Sequence, residues 1–114
     1  MTFIKSEKQG ITIVGIDKNR LDSIIAPDLK TELLLLTDNG KTNILIDLSN
    51  VSYADSSGLG ALLFGLRQIK NLGGQLRLFG ANKKVQSLIK IARLENHLVN
   101  YHDVNEAIQS FDQG

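Results

Sequence analysis

Residues 44–60 read Ile44-Leu45-Ile46-Asp47-Leu48-Ser49-Asn50-Val51-Ser52-Tyr53-Ala54-Asp55-Ser56-Ser57-Gly58-Leu59-Gly60. The first five residues are nearly all apolar, as in a central parallel strand buried on both faces. Leu59, Leu62, Leu63, Leu66 and Ile69 then recur at i, i+3, i+4, i+7 and i+10, the strongest helical pattern in the chain. The pattern closes at Gly73-Gly74. A strand running into a helix in this way predicts an α/β unit, with Asp55, Ser56 and Ser57 at the turn between them.

The flanking segments extend the alternation. Phe3 to Lys5 and Ile11 to Ile16 read as short strands joined by a hairpin through Glu7-Lys8-Gln9-Gly10. Asp22-Ser23 is expected to open a helix, with Pro27 near its first turn and Leu29, Leu33 and Leu36 on one face. Asp38-Asn39-Gly40 stops it, and Asn43 to Leu48 is the central strand. Gln75 to Phe79 is a strand, and Val85, Leu88, Ile89 and Ala92 mark a third helix. Leu98 to Tyr101 is a short strand. Asp103 and Glu106 have the spacing of a capping box ahead of a last helix through Phe111. The expected fold is one α/β domain over residues 1–114, with a mostly parallel sheet, an N-terminal antiparallel hairpin and about four helices.

Composition narrows the function. A chain of 114 residues builds one core. Its net charge of +1 selects neither nucleic acid nor membrane through a global field. With no cysteine there is no disulfide or thiolate chemistry, in keeping with a reducing compartment. The first residues lack a signal-peptide core, and apolar runs such as Leu33 to Leu36 are far too short to span a bilayer. A cytoplasmic protein without direct membrane insertion is expected. The basic residues Arg67, Lys70, Lys83, Lys84, Lys90 and Arg93 lie mostly on the polar faces of two helices, read first as solvated and second as a docking surface; without interleaved aromatics, no nucleic-acid partner is expected.

Catalytic patterns are weak. No Gly-x-Ser-x-Gly elbow is present, since the residue two before either serine is Ala54 or Asp55. His97 and His102 are far along the chain and are not spaced with carboxylates as a metal site. No phosphate-binding glycine loop occurs. A non-enzymatic protein without cofactor or metal is expected, and a small hydrolase using Ser56 or Ser57 is a lesser alternative.

The Asp55-Ser56-Ser57-Gly58 turn is richer than a helix start requires. One Ser or Asp suffices as an N-cap, and three candidates stand in a row. Gly58 and Gly60 each cost about 1 kcal/mol relative to Ala in a helix. Either they pack closely against a neighbour, or they offer bare backbone to a partner. A phosphate added at this position would meet the positive end of the helix.

These residues resemble the STAS domain family, and within it the bacterial anti-sigma factor antagonists. The resemblance covers nearly the whole chain and is most specific at Asp55-Ser56-Ser57-Gly58-Leu59-Gly60 after Ile44-Leu45-Ile46-Asp47-Leu48. It continues through residues 69–76 and 85–94. It implies a binding module that, unphosphorylated, sequesters an anti-sigma factor serine kinase and so releases a sigma factor. Ser56 is then the phosphoacceptor, and Asp22, Asp55, Ser57 and Gly58 contact the partner. A serine phosphatase restores the unmodified form. ATP and Mg²⁺ belong to the partners, and this chain needs no cofactor. The family's usual Gly-Glu-Leu-Asp stands here as Asn19-Arg20-Leu21-Asp22, with a glycine lost and a charge reversed, which bears on the choice of partner. The resemblance also admits a constitutive scaffold or subunit in a stress-signalling or lipid-transport complex.

Overall fold

The computed structural model describes residues 2–111. The expected domain of residues 1–114 therefore has its terminal residues 1 and 112–114 outside the described residues. The hairpin comes first, as β1 (Phe3–Lys8) and β2 (Ile11–Ile16). A short β3 (Arg20–Leu21) precedes α1 (Ala26–Asp38). β4 (Asn43–Asp47) and a two-residue β5 (Tyr53–Ala54) lead into α2 (Ser56–Asn71). β6 (Gln75–Phe79), α3 (Lys83–Ile91), β7 (Asn100–Tyr101) and α4 (Val104–Ser110) complete the order.

The main sheet has the order β1-β2-β4-β6-β7. β1 pairs antiparallel with β2, and the remaining pairs are parallel. β4 is central, which explains its apolar run. Ile44 and Ile46 face a core shared with α1, α2 and α3, while Leu45 faces a smaller cluster with Ile11, Ala107 and Ile108 beneath α4. Three helices thus cover one face of the sheet and α4 the other.

Several boundaries differ from the sequence reading. β1 extends to Lys8 because Ser6, Glu7 and Lys8 lie on an exposed edge strand, where apolar alternation is not required. Gln9 and Gly10, both at positive φ (54° and 79°), form the whole turn, matching the twist of a two-residue hairpin. α1 starts at Ala26 rather than at Asp22-Ser23. Asp22 instead closes a preceding turn, accepting from the Ile24 and Ile25 amides at 3.0 and 3.4 Å. β7 is shorter than Leu98 to Tyr101, since Leu98 is a core residue reached by a turn from Leu94. Asp103 caps α4 through the Asn105 amide at 2.8 Å, but the Asp103 amide makes no hydrogen bond to the Glu106 carboxylate, so only half of the capping box is formed among the described residues.

The end of α2 follows its sequence closely. The Gly73 amide donates to the Lys70 carbonyl and the Gly74 amide to the Ile69 carbonyl, with Gly73 at φ 80°. This is the Schellman arrangement, and it turns the chain into β6.

Candidate functional site

The loop after β4 passes along the carboxyl ends of the parallel strands, where open α/β sheets present their binding sites. Its conformation depends on two short strands that have no sequence signature. Arg20 pairs with Tyr53 and Leu21 with Ala54 in a parallel ladder. The Ser52 and Tyr53 amides donate to the Asn19 carbonyl at 2.8 and 3.2 Å, and the Asp55 amide donates to the Leu21 carbonyl at 3.3 Å. This ladder brings the segment carrying Asp22 alongside the one carrying Asp55 and Ser56, residues more than thirty positions apart.

Asp55 is the N-cap of α2. Its backbone is extended (φ −118°, ψ −173°), and its Oδ1 accepts from the Ser57 and Gly58 amides at 2.9 and 3.1 Å. Ser56 is therefore the first residue of the helix and not its cap, and its side chain is exposed. Ser57 follows, half-buried. The three apparent cap candidates thus divide. One carboxylate accepts from the backbone, one serine is exposed, and the other is half-buried.

The glycines divide as well. A Cβ on Gly58 would collide with the Leu21 carbonyl and lie 2.7 Å from Leu21 Cγ, so this glycine lets α2 seat against β3. A Cβ on Gly60 would meet nothing within 4 Å. Gly60 is exposed and leaves open backbone one turn along the helix from Ser56.

Other residues complete this end of the molecule; the sequence reading named Arg20 for the choice of partner and Lys83 and Lys84 as a solvated face or docking surface, and did not single out Ile24, Tyr53 or Asn82. The Arg20 guanidinium carbon lies 5.2 Å from the centre of the Tyr53 ring. Tyr53 is 45% exposed and Ile24, beside Asp22, is 77% exposed. Asn82 caps α3 through the Val85 amide at 2.9 Å, and its Nδ2 donates to the Ser52 carbonyl at 3.0 Å. That bond ties the start of α3, with exposed Lys83 and Lys84, to the loop carrying Tyr53. The charge reversal at Arg20 and an aromatic, Tyr53, just ahead of the serine turn were the local signals available for this region.

Neither histidine is drawn into a hydroxyl-activating pair. His97 sits in the turn before β7 and His102 just after it, both exposed. Among the described residues no group of three potential metal ligands is present. No helix among them is long and apolar enough to cross a membrane.

The model of the STAS domain matches residues 2–107. The chain belongs to the STAS domain family. Its sequence is 30% identical over 76 residues to the anti-sigma-B factor antagonist of Staphylococcus aureus strain NCTC 8325, covering 67% of this chain and 70% of that protein. The corresponding Staphylococcus epidermidis protein is 29% identical over the same length. Among solved structures, a Thermotoga maritima crystal structure superposes with a TM-score of 0.89 at 24% identity, covering 96% of this chain and 94% of that one. The anti-sigma factor antagonist SpoIIAA in its unphosphorylated form gives 0.81 at 18% identity, covering 98% and 97%. These likenesses bear out the expected fold. The STAS fold here carries its exposed serine at the start of α2, where Asp55 has already met the needs of the helix.

Proposed function

We propose that this chain is an anti-sigma factor antagonist, a protein-binding module switched by phosphorylation of Ser56. The observation that carries the reading is an exposed serine, Ser56, at the first position of α2, with the cap supplied by its neighbour Asp55. The names of the Staphylococcus relatives point the same way. In this reading the unmodified chain binds an anti-sigma factor that is a serine kinase, freeing a sigma factor. The kinase then phosphorylates Ser56, and a serine phosphatase removes the phosphate. Asp22, Asp55, Ser57 and Gly58 belong to the docking region, and the chain itself performs no chemistry.

The physics of the switch is local. Phosphorylation adds a charge of roughly −1.5 to −2 at a position the helix terminus tolerates in the free protein. Against a docked partner, an unmatched dianion is costly. A penalty of about 3 kcal/mol lowers affinity roughly a hundredfold. Little change of fold is required, because the Ser56 side chain takes no part in the cap.

The test is binding of Ser56→Ala, Ser56→Asp and Ser56→Glu to the serine-kinase anti-sigma factor of the same organism. Ser56→Ala is expected to bind as the unmodified chain does, and the acidic variants about a hundredfold more weakly. Equal affinity for all of them would discard the switch and leave a constitutive STAS scaffold.

A further inference from the structure

Of the thirteen Lys and Arg in the chain, seven fall within residues 56–94, a stretch that holds none of the twelve Asp and Glu. The net charge of +1 conceals this division. The acid-free stretch is α2, β6 and α3 with their connecting turns. Arg77, on β6, is half-buried and turned to Gln75 and the Phe111 ring. The other six cations are exposed: Arg67 and Lys70 on α2, Lys83, Lys84 and Lys90 on α3, and Arg93 just beyond it. α2 and α3 cover the same face of the sheet, so the six stand on one side of the molecule. Two carboxylates border them. Glu95 is exposed and shares a cleft with Lys83 and Lys90, and Asp55 turns Oδ1 onto backbone amides. α1, beside α2, sets exposed Lys30 against exposed Asp28 and Asp38, and its Glu32 is paired with Lys5. The balance stays positive with all of these included.

Local stability does not account for where the cations sit. Lys83 and Lys84 occupy the first turn of α3, where the helix dipole favours carboxylates and none is present. α3 ends as α2 does, with the Arg93 amide donating to the Lys90 carbonyl at 2.9 Å and the Leu94 amide to the Ile89 carbonyl at 3.0 Å. Where α2 places Gly73 at φ 80°, α3 places Arg93 at φ 60°, a left-handed backbone that favours glycine. A cation suits the end of a helix, but Lys90 in the last turn already supplies one. Exposed aliphatic residues accompany these charges. Ile91, between Lys90 and Arg93, is 80% exposed, and Leu72, two residues after Lys70, is 55% exposed. Both helices run back to the amino ends of the parallel strands, so Leu72 and Ile91 lie at one end of the molecule, away from Ser56.

We propose that the α2–α3 side is a docking surface for an anionic lipid bilayer, with its cations on the headgroups and Leu72 and Ile91 in the interfacial layer. Cations close to an anionic leaflet are each attracted to it, and aliphatic side chains among them reach the acyl boundary. A protein partner is a poorer match, because Lys is depleted from protein interfaces and aromatic anchors are enriched in them. The one ring on these two helices, Phe64, is half-buried near Lys30. Single-stranded nucleic acid calls for stacking rings and has no use for exposed Leu72 and Ile91. The proposal does not depend on switching at Ser56, which stands at the other end of α2.

Flotation of the full chain with vesicles of phosphatidylcholine, alone or with about one third phosphatidylglycerol, tests the proposal. The chain is expected to float with the anionic vesicles at about 50 mM salt, to leave them by about 400 mM, and not to float with the neutral ones. Flotation with neither, or equally with both, would overturn the lipid partner. So would a single-stranded oligonucleotide, or a peptide of repeated Glu and Leu, that strips the chain from the vesicles at equal charge concentration.

Variants locate the surface. Lys90→Glu/Arg93→Glu is expected to bind the anionic vesicles about twentyfold more weakly or worse. Ile91→Ser is expected to lose about fivefold with its salt dependence kept, since the lost contribution is apolar. Lys18→Glu, a matched reversal at the carboxyl end of the sheet, is expected to bind within about twofold of the unmodified chain. Arg93→Gly separates docking from folding. It is expected to raise the urea midpoint by easing the left-handed position, and to weaken vesicle binding about fivefold. Spectra of each variant establish that it is folded. Undiminished vesicle binding in the double variant and in Arg93→Gly would overturn the assignment of this surface. All four variants are expected to bind the anti-sigma factor as the unmodified chain does, which keeps a failure here distinct from a failure of the switch.

Discussion

Gly58 and Gly60 are two residues apart in the first turns of α2 and serve different ends. The first has no Cβ because Leu21 occupies that space, and the second has none although the space is open. Gly58→Ala is therefore expected to destabilise the protein by about 1–3 kcal/mol through overpacking against β3. Gly60→Ala is expected to stabilise it by about 0.5–1 kcal/mol, the usual helix preference for Ala. If open backbone at Gly60 serves docking, the more stable Gly60→Ala protein will bind its anti-sigma factor more weakly. Urea unfolding and binding measured on the same two variants check both statements. Residue identity alone left these glycines open between packing and partner. The choice depends on what lies across from each Cα, and that is set by β3.

Among the elements, β1 is the exposed edge of the sheet, and its polar residues are tied down by charge. Lys41, in the loop before β4, lies 2.7 Å from Glu7, and Thr12 on β2 donates to the same carboxylate at 3.2 Å. The Lys41 hydrogen bond and charge, helped by Thr12, hold the Glu7 carboxyl below its ordinary value of 4.5. A lowered folded value contributes stability above the ordinary value, lost as pH falls through the folded one. Glu7→Gln is thus expected to lower the urea midpoint at neutral pH by a small, salt-sensitive amount, a difference that narrows in acid, as pH falls below the ordinary value of 4.5. An equal difference at neutral and acid pH would show that the effect is not the charge of Glu7. The extent of β1 was hidden in the sequence for the same reason. An edge strand has one unpaired side and here faces solvent, so Ser6, Glu7 and Lys8 carry no apolar signature. The long amphipathic α2 and the buried β4 were legible because burial demands a periodic pattern.

Across the whole molecule, β4 divides two apolar clusters, so neighbouring residues on it report on opposite faces. Leu45→Ala removes packing beneath α4, and Ile46→Ala removes it beneath α1, α2 and α3. Each is expected to cost about 2–5 kcal/mol. Amide exchange should separate them, with α4 opening faster in Leu45→Ala and α2 protected relative to it, and the reverse in Ile46→Ala. A uniform increase in both variants would mean that the two clusters open together. The sequence by itself determined the α/β alternation, the central place of β4, the two-glycine end of α2 and the turn bearing Ser56. Each of these is written in periodic burial or in local backbone chemistry. Only the tertiary structure decided that Asp55 caps the helix and leaves Ser56 exposed, that Leu21 explains Gly58, that Arg20 lies over the Tyr53 ring, and that Asn82 ties the start of α3 to the loop carrying Tyr53. These depend on a ladder two residues long on each side and on one amide-to-carbonyl bond from Asn82, contacts between segments far apart in the chain. So short a ladder has no periodicity to read. Its formation follows from the packing of the larger elements that bring its strands together.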